Sequence, residues 1–428
     1  MREMKDSGNM WIGATPETWK MIPLKYLASY NDEVLSENTD DEFEFDYIEI
    51  GSVQYGRGII YKEHMKFKNA PSRARRIVRK DDIIVSTVRT YLKAVATIPA
   101  CNNSLIASTG FIVIRPHKVL PRFMNYALLA ESFISLVESH STGISYPAIN
   151  SVDVVKFKIP VPCRSEQERI AAFLDAECAE IDAVLEKTRA SIEEYKKLKQ
   201  AVITQAVTKG IRGDRPMKDS GIEWIGEIPA EWTASKIKYC TEFAPSCNTS
   251  HLSEDSLVTF TPMECIKNGY FENREAHFSA LSSSYTQYQD GDIVFAKVTP
   301  CFENGNIAIM QGLSAGVGFG SSELFVIRPQ SINTEFIFYY LQNDIFKQYA
   351  CATMTGTGGL KRVSPTFVRN YSVFIPCNEE QLEIVRYLNE KCSGIEVLIA
   401  KKQQCLTEIE NYKKSLIYEY VTGKKEVV

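Results

Sequence analysis

The sequence predicts an α+β fold: two tandemly duplicated mixed α/β domains separated by two long helices that pair as an antiparallel coiled coil, giving a pseudo-twofold molecule. Three observations carry this. Lys5-Asp6-Ser7-Gly8-Asn9-Met10-Trp11-Ile12-Gly13 returns as Lys218-Asp219-Ser220-Gly221-Ile222-Glu223-Trp224-Ile225-Gly226, with 7 of 9 residues identical at a shift of 213. Ile114-Arg115-Pro116 returns as Ile327-Arg328-Pro329 at the same shift, and Glu166-Gln167 as Glu380-Gln381 at 214. Each half closes on about 45 residues without proline that carry an apolar stripe at helical spacing. A repeat this long duplicates a whole domain with its connector rather than a solenoid unit, and such a molecule suits a target made of two half-sites.

The elements follow in the same order in both halves. Domains are expected over 1–162 and 213–376, with helical spacers over 163–212 and 377–428. Asp82-Ile83-Ile84-Val85-Ser86-Thr87-Val88 and Asp292-Ile293-Val294-Phe295-Ala296-Lys297-Val298 read as short β-branched strands, as do Phe111–Ile114 and Leu324–Ile327, each closed by Arg-Pro. A helix is expected from Pro121 to about Val137 and from Thr334 to about Tyr349. A glycine-containing loop follows in each half (141–146 and 353–362), then a strand ending at Pro162 or Pro376. After Pro162, Ser165 and Glu168 form a capping-box pattern. The helix beyond spans roughly 65 Å and stops at Lys209-Gly210. Written as heptads, its seam includes Ile170, Leu174, Ile181, Val184, Tyr195, Leu198 and Val202. The second seam includes Ile384, Leu388, Lys391, Ile395, Leu398, Lys402, Ile409, Tyr412 and Leu416. An isolated helix of this length exposes its stripe and needs a partner; the simplest is its own duplicate.

Composition narrows the class. No apolar run approaches the roughly 20 residues of a membrane span. The opening Met1–Asp6 has no apolar core, unlike a secretory signal, so a cytoplasmic protein is expected. Eleven cysteines occur without a Cys-x-x-Cys pair, which predicts reduced, mostly buried thiols rather than zinc or redox motifs. The net charge of −4 argues mildly against nucleic acid, but its distribution argues the other way. Residues 57–93 hold eleven bases against three acids, whereas residues 31–49 hold nine acids and no base. One face of the first domain is therefore expected to be strongly positive.

Catalytic patterns are missing. There is no P-loop, no Asn/Asp-Pro-Pro-Tyr/Phe tetrad of an amino-methyltransferase and no histidine pair at metal-ligand spacing. Gly316-Val317-Gly318-Phe319-Gly320 has the glycines of a phosphate turn but precedes a strand rather than opening a helix. Asp82 and Asp292 read as carboxylates of strand-entry turns rather than a nuclease centre, because Thr87 stands where the second copy has Lys297. The chain reads as a binder, not a catalyst.

The Trp-Ile-Gly-x-x-Pro-x-x-Trp openings (Trp11 to Trp19, Trp224 to Trp232), the Asp-Ile-Ile/Val strands, the glycine loops, Ile-Pro-x-Pro, Glu-Gln, and Tyr-Lys-Lys-Leu-Lys with Ala-Val-Thr-Lys-Gly at a helix end are all present. Together they make the chain resemble the specificity subunit of type I restriction–modification enzymes, over essentially its whole length and twice. The resemblance implies two target-recognition domains, each reading half of a bipartite asymmetric site in double-stranded DNA, and helical spacers that set the gap and dock two modification subunits. It implies that adenine methylation and its S-adenosylmethionine belong to those partners. ATP and magnesium would belong to two motor–nuclease restriction subunits where these join. This chain would bind no cofactor, and no membrane. The sequence departs from the pattern at Lys391 and Lys402 in the second seam, at Ile-Pro-Cys (375–377), and in a second domain that is not basic.

Candidate DNA contacts in the first domain are Arg73, Arg75, Arg76 and Arg79, spaced for a phosphate backbone or a guanine edge, with Arg89 and Lys93 after a strand. From the glycine loops come Thr142, Ser145 and Tyr146, and Thr355, Thr357, Lys361 and Arg362. The paired tryptophans read as core anchors more than base-stacking platforms, and Tyr195 and Tyr412 as seam residues. Two alternatives stay open: a duplicated coiled-coil scaffold that binds proteins without reading DNA, and a self-sufficient DNA enzyme, which the missing methyltransferase motif opposes.

Overall fold

The computed structural model describes residues 2–223, 225–281, 284–356 and 360–427; Trp224 and Thr357 lie outside them. The chain divides into two compact units, Met1–Arg189 with Gln404–Val428, and Ala190–Gln403. Each unit holds one globular domain, the start of the long helix that follows it and the end of the other long helix.

The first domain is built on a four-stranded antiparallel sheet in the order Val95–Thr97, Ile83–Ser86, Phe111–Pro116, Ala28–Tyr30. A second sheet orders Glu63–Lys66, Glu44–Ile48, Leu105–Ser108, Ala74–Val78, with its middle pair parallel. Side chains alternate across the first sheet as strand geometry requires. Ile83, Val85, Ile112 and Ile114 join a core with the helices, and Ile84, Phe111 and Val113 join one with the second sheet. The second domain repeats both orders: Ile307–Ile309, Ile293–Ala296, Leu324–Pro329, Thr241–Phe243, and Glu275–His277, Leu257–Thr261, Val317–Gly320, Thr286–Gln289. Its alternation is the same, with Ile293, Phe295, Phe325 and Ile327 on one face and Val294, Leu324 and Val326 on the other. Of the glycines in 316–320, Gly318 and Gly320 serve packing, since a Cβ at either would strike the buried Tyr288 ring or Leu324, whereas Gly316 has open space and turns the chain at φ 69°.

Two expected helices are each two helices. The first breaks at Ala130 (ψ 140°) between Pro121–Leu129 and Glu131–Ser139. The second breaks at Asn343 (ψ 146°) between Thr334–Gln342 and Asp344–Ala352, where the Asn343 carboxamide caps the new helix through Phe346 N. A single apolar stripe runs across each break, so periodicity alone does not reveal it.

The long helices are Arg164–Lys209 and Asn378–Val421. They run antiparallel within each unit. Lys413 meets Asp182 at 2.7 Å and Arg189 meets Glu410 at 2.6 Å in the first unit; Lys199 meets Glu396 at 2.6 Å and Arg212 meets Glu383 at 2.8 Å in the second. Of the expected seam residues, Ile170, Leu174, Ile181, Ile384, Leu388, Ile395 and Leu416 are buried, and Val202 and Ile409 are partly buried. Leu198 and Leu398 are not seam residues: they are 48% and 42% exposed, as Val184 and Tyr412 also are exposed. A strict heptad drifts about 20° per repeat against a straight helix. The observed stripe instead follows 3.6 residues per turn, so that ten turns carry Ile170 onto Ala206, both buried.

The cysteines are all free, but only Cys178, Cys240, Cys265 and Cys392 are buried, and Cys101, Cys163, Cys377 and Cys405 are exposed. That corrects the expectation of mostly buried thiols. Burial pushes Cys178, Cys240 and Cys392 up to about 11, whereas the hydrogen bond with Ser165 lowers Cys163. Since the thiolate is the nucleophile, alkylation at about pH 8 is expected to modify Cys163 and to leave the three buried thiols untouched until denaturant is added. Timed digests read by mass spectrometry check this; equal labelling of Cys163 and Cys392 would contradict the packing.

Candidate nucleic-acid interface

Each domain is rooted on its long helix by one repeated clamp. Trp19 is buried and its indole donates to Glu166 Oε2 at 2.9 Å; Arg2 pairs with Glu166 Oε1 at 2.7 Å and lies 5.7 Å over the Trp19 ring. In the second unit Trp232 donates to Glu380 at 3.1 Å, and Arg215 pairs with the same carboxylate and lies 5.4 Å over the ring. The neighbouring glutamine brackets the junction. Gln167 donates to Pro162 O and accepts from Leu120 N, and Gln381 donates to Pro376 O and accepts from Asn333 N. The repeated Glu-Gln, Trp19 and Trp232 are thus structural, whereas Trp11 is 39% exposed and is not the core anchor expected. Asp82 and Asp292 are structural too, each held by a fork from the arginine of Ile-Arg-Pro: Arg115 at 2.9 and 2.8 Å, Arg328 at 2.7 and 2.9 Å.

At one rim of the first domain, backbone hydrogen bonds join four loop segments. Thr109 N donates to Arg73 O, Thr87 N to Gly110 O, and Ile149 N to Thr87 O. A narrow hairpin closed by the Thr142–Ala148 bridge sits there, itself bridged to Val88. Thr90 Oγ1 reaches Ser141 Oγ at 2.9 Å. Of the predicted contacts, this rim gathers Arg73, Arg89, Lys93, Thr142, Ser145 and Tyr146. Arg73 is exposed and makes no ion pair among the described residues. The Arg89 guanidinium lies 5.1 Å over the Tyr146 ring. Arg89 and Lys93 both hold left-handed backbone conformations, φ 55° and 52°, a strain that non-glycine residues adopt where the surroundings impose it. Lys93 is paired with Glu131 and Glu138 at 3.5 Å. The exposed Tyr91 and Ile144 also belong to the rim; sequence reading passed over them because an apolar residue in a loop carries no periodic signal.

The other arginines lie elsewhere or are occupied. Arg75 packs 5.1 Å over Phe67, and Arg76 is part-buried in the sheet, where burial lowers its pKa. Arg79 pairs with Glu33 at 2.7 Å. The strongly positive face expected from the basic run is therefore reduced. The acidic run folds onto it: Glu44 stands opposite Lys66 and Asp46 opposite His64 in an antiparallel pair, and Glu42 takes both Lys66 and Lys68. Glu33 takes Arg115 and Arg79, which hold its carboxyl below the ordinary value.

In the second domain the corresponding rim carries the Thr355–Arg362 hairpin, bridged to Val298. Lys361 N donates to Thr299 Oγ1. Thr355 and Lys361 are exposed, while Arg362 is pinned to Glu323. Lys297, half-buried and lowered by burial, lies 5.2 Å over Phe325. A cleft of about 820 Å³ opens beside this hairpin, lined by Phe243, Lys297, Phe325, Arg362 and Phe367. The framework is duplicated, but the side chains at the rim are not.

A family model for the type I restriction modification DNA specificity domain matches residues 16–194 and 246–408. The EcoEI type I specificity subunit of Escherichia coli is 31% identical over 217 residues, 48% of this chain and 35% of that one. The EcoAI subunit of Escherichia coli is 32% identical over 192 residues, 43% of this chain and 31% of its own. The match thus spans about a third of the length of these two relatives. The MjaVIII specificity subunit of Methanocaldococcus jannaschii is 24% identical over 429 residues, 96% of this chain and 94% of that one. A solved chain from work on assembly and conformational transition of a type I R-M system superposes with a TM-score of 0.72 at 20% identity, covering 96% of this chain and 99% of its own; that likeness is one of fold.

Proposed function

The chain belongs to the type I restriction–modification DNA specificity family, and on that premise we propose that each unit presents its hairpin rim to one half of a bipartite site in double-stranded DNA. The single observation that carries this reading is the contrast within the duplication. The Arg-Trp-Glu clamp, the glutamine bracket and the Asp–Arg fork recur atom for atom in role, while the rims they support carry different side chains. A duplicated frame with diverged rims suits two different half-sites.

The rim of the first domain favours a polyanion. No Asp or Glu occurs between Asp82 and Glu131 or between Glu138 and Asp153, the segments that build most of it. The second rim, with fewer free cations, reads through Thr355, Lys361 and exposed backbone. Methyl transfer, with its S-adenosylmethionine, and any ATP-driven restriction reside in partner subunits.

The partner surface in this reading is on the long helices. Val184 and Tyr412 in the first unit, and Leu198 and Leu398 in the second, are exposed apolar side chains. Val184, Tyr412 and Leu198 each stand one residue, about 100° of turn, before a side chain that meets the other helix, Leu185, Lys413 and Lys199, and Leu398 stands one residue before the part-buried Ile399. The same offset on antiparallel helices places both members of a pair on one face. One such pair per unit fits a modification subunit present in two copies.

The test is co-expression with a type I modification subunit from the same genome, followed by mapping of methyladenine across the host genome. One bipartite motif with a fixed unspecified gap is expected. Arg73→Ala with Arg89→Ala is expected to weaken DNA binding roughly tenfold or more and to reduce the slope of log affinity against log salt by about 2, one per lost phosphate contact. A stable complex that leaves no new methylation would favour the scaffold reading.

A further inference from the structure

The tip of the first hairpin has a feature that phosphate binding does not use. Ile144 is 103% exposed, so its side chain touches almost nothing of its own chain; Tyr146 in the same hairpin and Tyr91 in the neighbouring turn are 63% and 52% exposed. A single exposed aliphatic is ordinary; its setting here is not. The hairpin is closed by two backbone hydrogen bonds between Thr142 and Ala148, at 2.9 Å each, and turned by Gly143 at φ 106°. It is tied to the neighbouring turn through Ser141 and Thr90. The tip is thus braced, and Ile144 stands out from it beside the Arg89–Tyr146 stack. Arg89 has no carboxylate partner among the described residues. The second hairpin also presents an exposed aliphatic, Leu360 at 46%.

We propose that Ile144 is an apolar wedge that enters a base step of the bound duplex, with Arg89, held on the Tyr146 ring, against the flanking phosphate. The proposal rests on the DNA reading above and assigns to the rim a second kind of readout, the ease with which a particular step unstacks. Proteins that insert aliphatic side chains between bases kink the duplex and discriminate sequence by its deformability. Ile144 has the three properties this needs: full exposure, a braced support and a cation at its side. The absence of carboxylates from 139–152 keeps the surface complementary to the backbone on either side of the step.

The test uses the chain assembled with its modification subunits and duplexes carrying 2-aminopurine at successive positions of the half-site read by the first domain. A several-fold rise in fluorescence is expected at one step distinct from the methylated adenine. Ile144→Ala is expected to abolish that rise and weaken binding roughly ten- to hundredfold, whereas Ile144→Leu retains both. A complex that binds and methylates its site yet shows no rise outside the methylated adenine overturns the wedge and leaves the DNA reading intact, as does a rise that survives Ile144→Ala. Loss of the modification subunit in Ile144→Ala identifies a protein-docking residue and also overturns it. A wild-type complex that shows no affinity for DNA removes the DNA reading and the wedge with it.

Discussion

Replacing Glu380 by alanine is expected to destabilise the second unit by about 3 kcal/mol, at the low end of the range for breaking a buried ion pair from one side. Glu380 is 1% exposed, and its two oxygens are divided between Arg215 and the Trp232 indole. Its removal leaves the buried indole N–H without a partner and Arg215 with Glu231 as its one carboxylate, beside the Lys209 carbonyl. Arg215 is itself 10% exposed and stacked on the tryptophan, so it cannot recover its hydration without unseating the ring. Gly210 has no room to help, since a Cβ there would strike Arg215. Glu380→Gln keeps an acceptor for the indole and should cost less. Glu166→Ala in the first unit should also cost less, because Arg2 is more exposed and has Glu426 as a second partner. Urea unfolding followed by tryptophan fluorescence reads this as a lowered midpoint at unchanged slope. A loss below about 1 kcal/mol for Glu380→Ala would show that the clamp does not anchor the domain.

Leu198→Asp combined with Leu398→Asp is expected to weaken capture of the modification subunit at least a hundredfold, the scale of losing two anchoring side chains at an interface, while leaving folding nearly unchanged. Both residues are exposed, and surface substitutions of this kind normally change stability within about 0.5 kcal/mol. Val184→Asp with Tyr412→Asp should do the same at the first unit. If each pair docks one copy, either double variant alone should yield a complex with one modification subunit, and the quadruple variant none. Native mass spectrometry of the co-expressed complex distinguishes these outcomes. Two copies retained by the quadruple variant would place docking elsewhere.

Much of the architecture was legible in the sequence because duplication writes it twice. The fold class, the two long helices and the strands at 83–86, 111–116, 293–296 and 324–329 follow from residue patterns alone. The phase of the helix seam was not legible. A heptad template and a 3.6-residue stripe agree near Ile170 and Ile384 and part company by Leu198, and the misassigned Val184, Leu198, Leu398 and Tyr412 turned out to be the exposed apolar pairs. Nor were the breaks at Ala130 and Asn343, where one stripe crosses two helices.

The candidate site was legible only as a neighbourhood. Arg73, Arg89, Thr142, Ser145 and Tyr146 do come to one rim, but Arg75, Arg76 and Arg79 are drawn away by Phe67, the sheet and Glu33. Thr357 lies outside the described residues.

What the sequence by itself determined is what local and periodic: the repeat, the elements, their order and the family. These depend on near neighbours along the chain, whose spacing fixes which face a side chain takes. Which charges remain free, which tryptophan is clamped and which loop tip stands clear depended on residues brought together across the chain, 33 positions apart for Arg115 and Asp82 and 165 for Arg215 and Glu380. Only the tertiary structure decided those, because an ion pair cancels a charge wherever its partner lies along the chain.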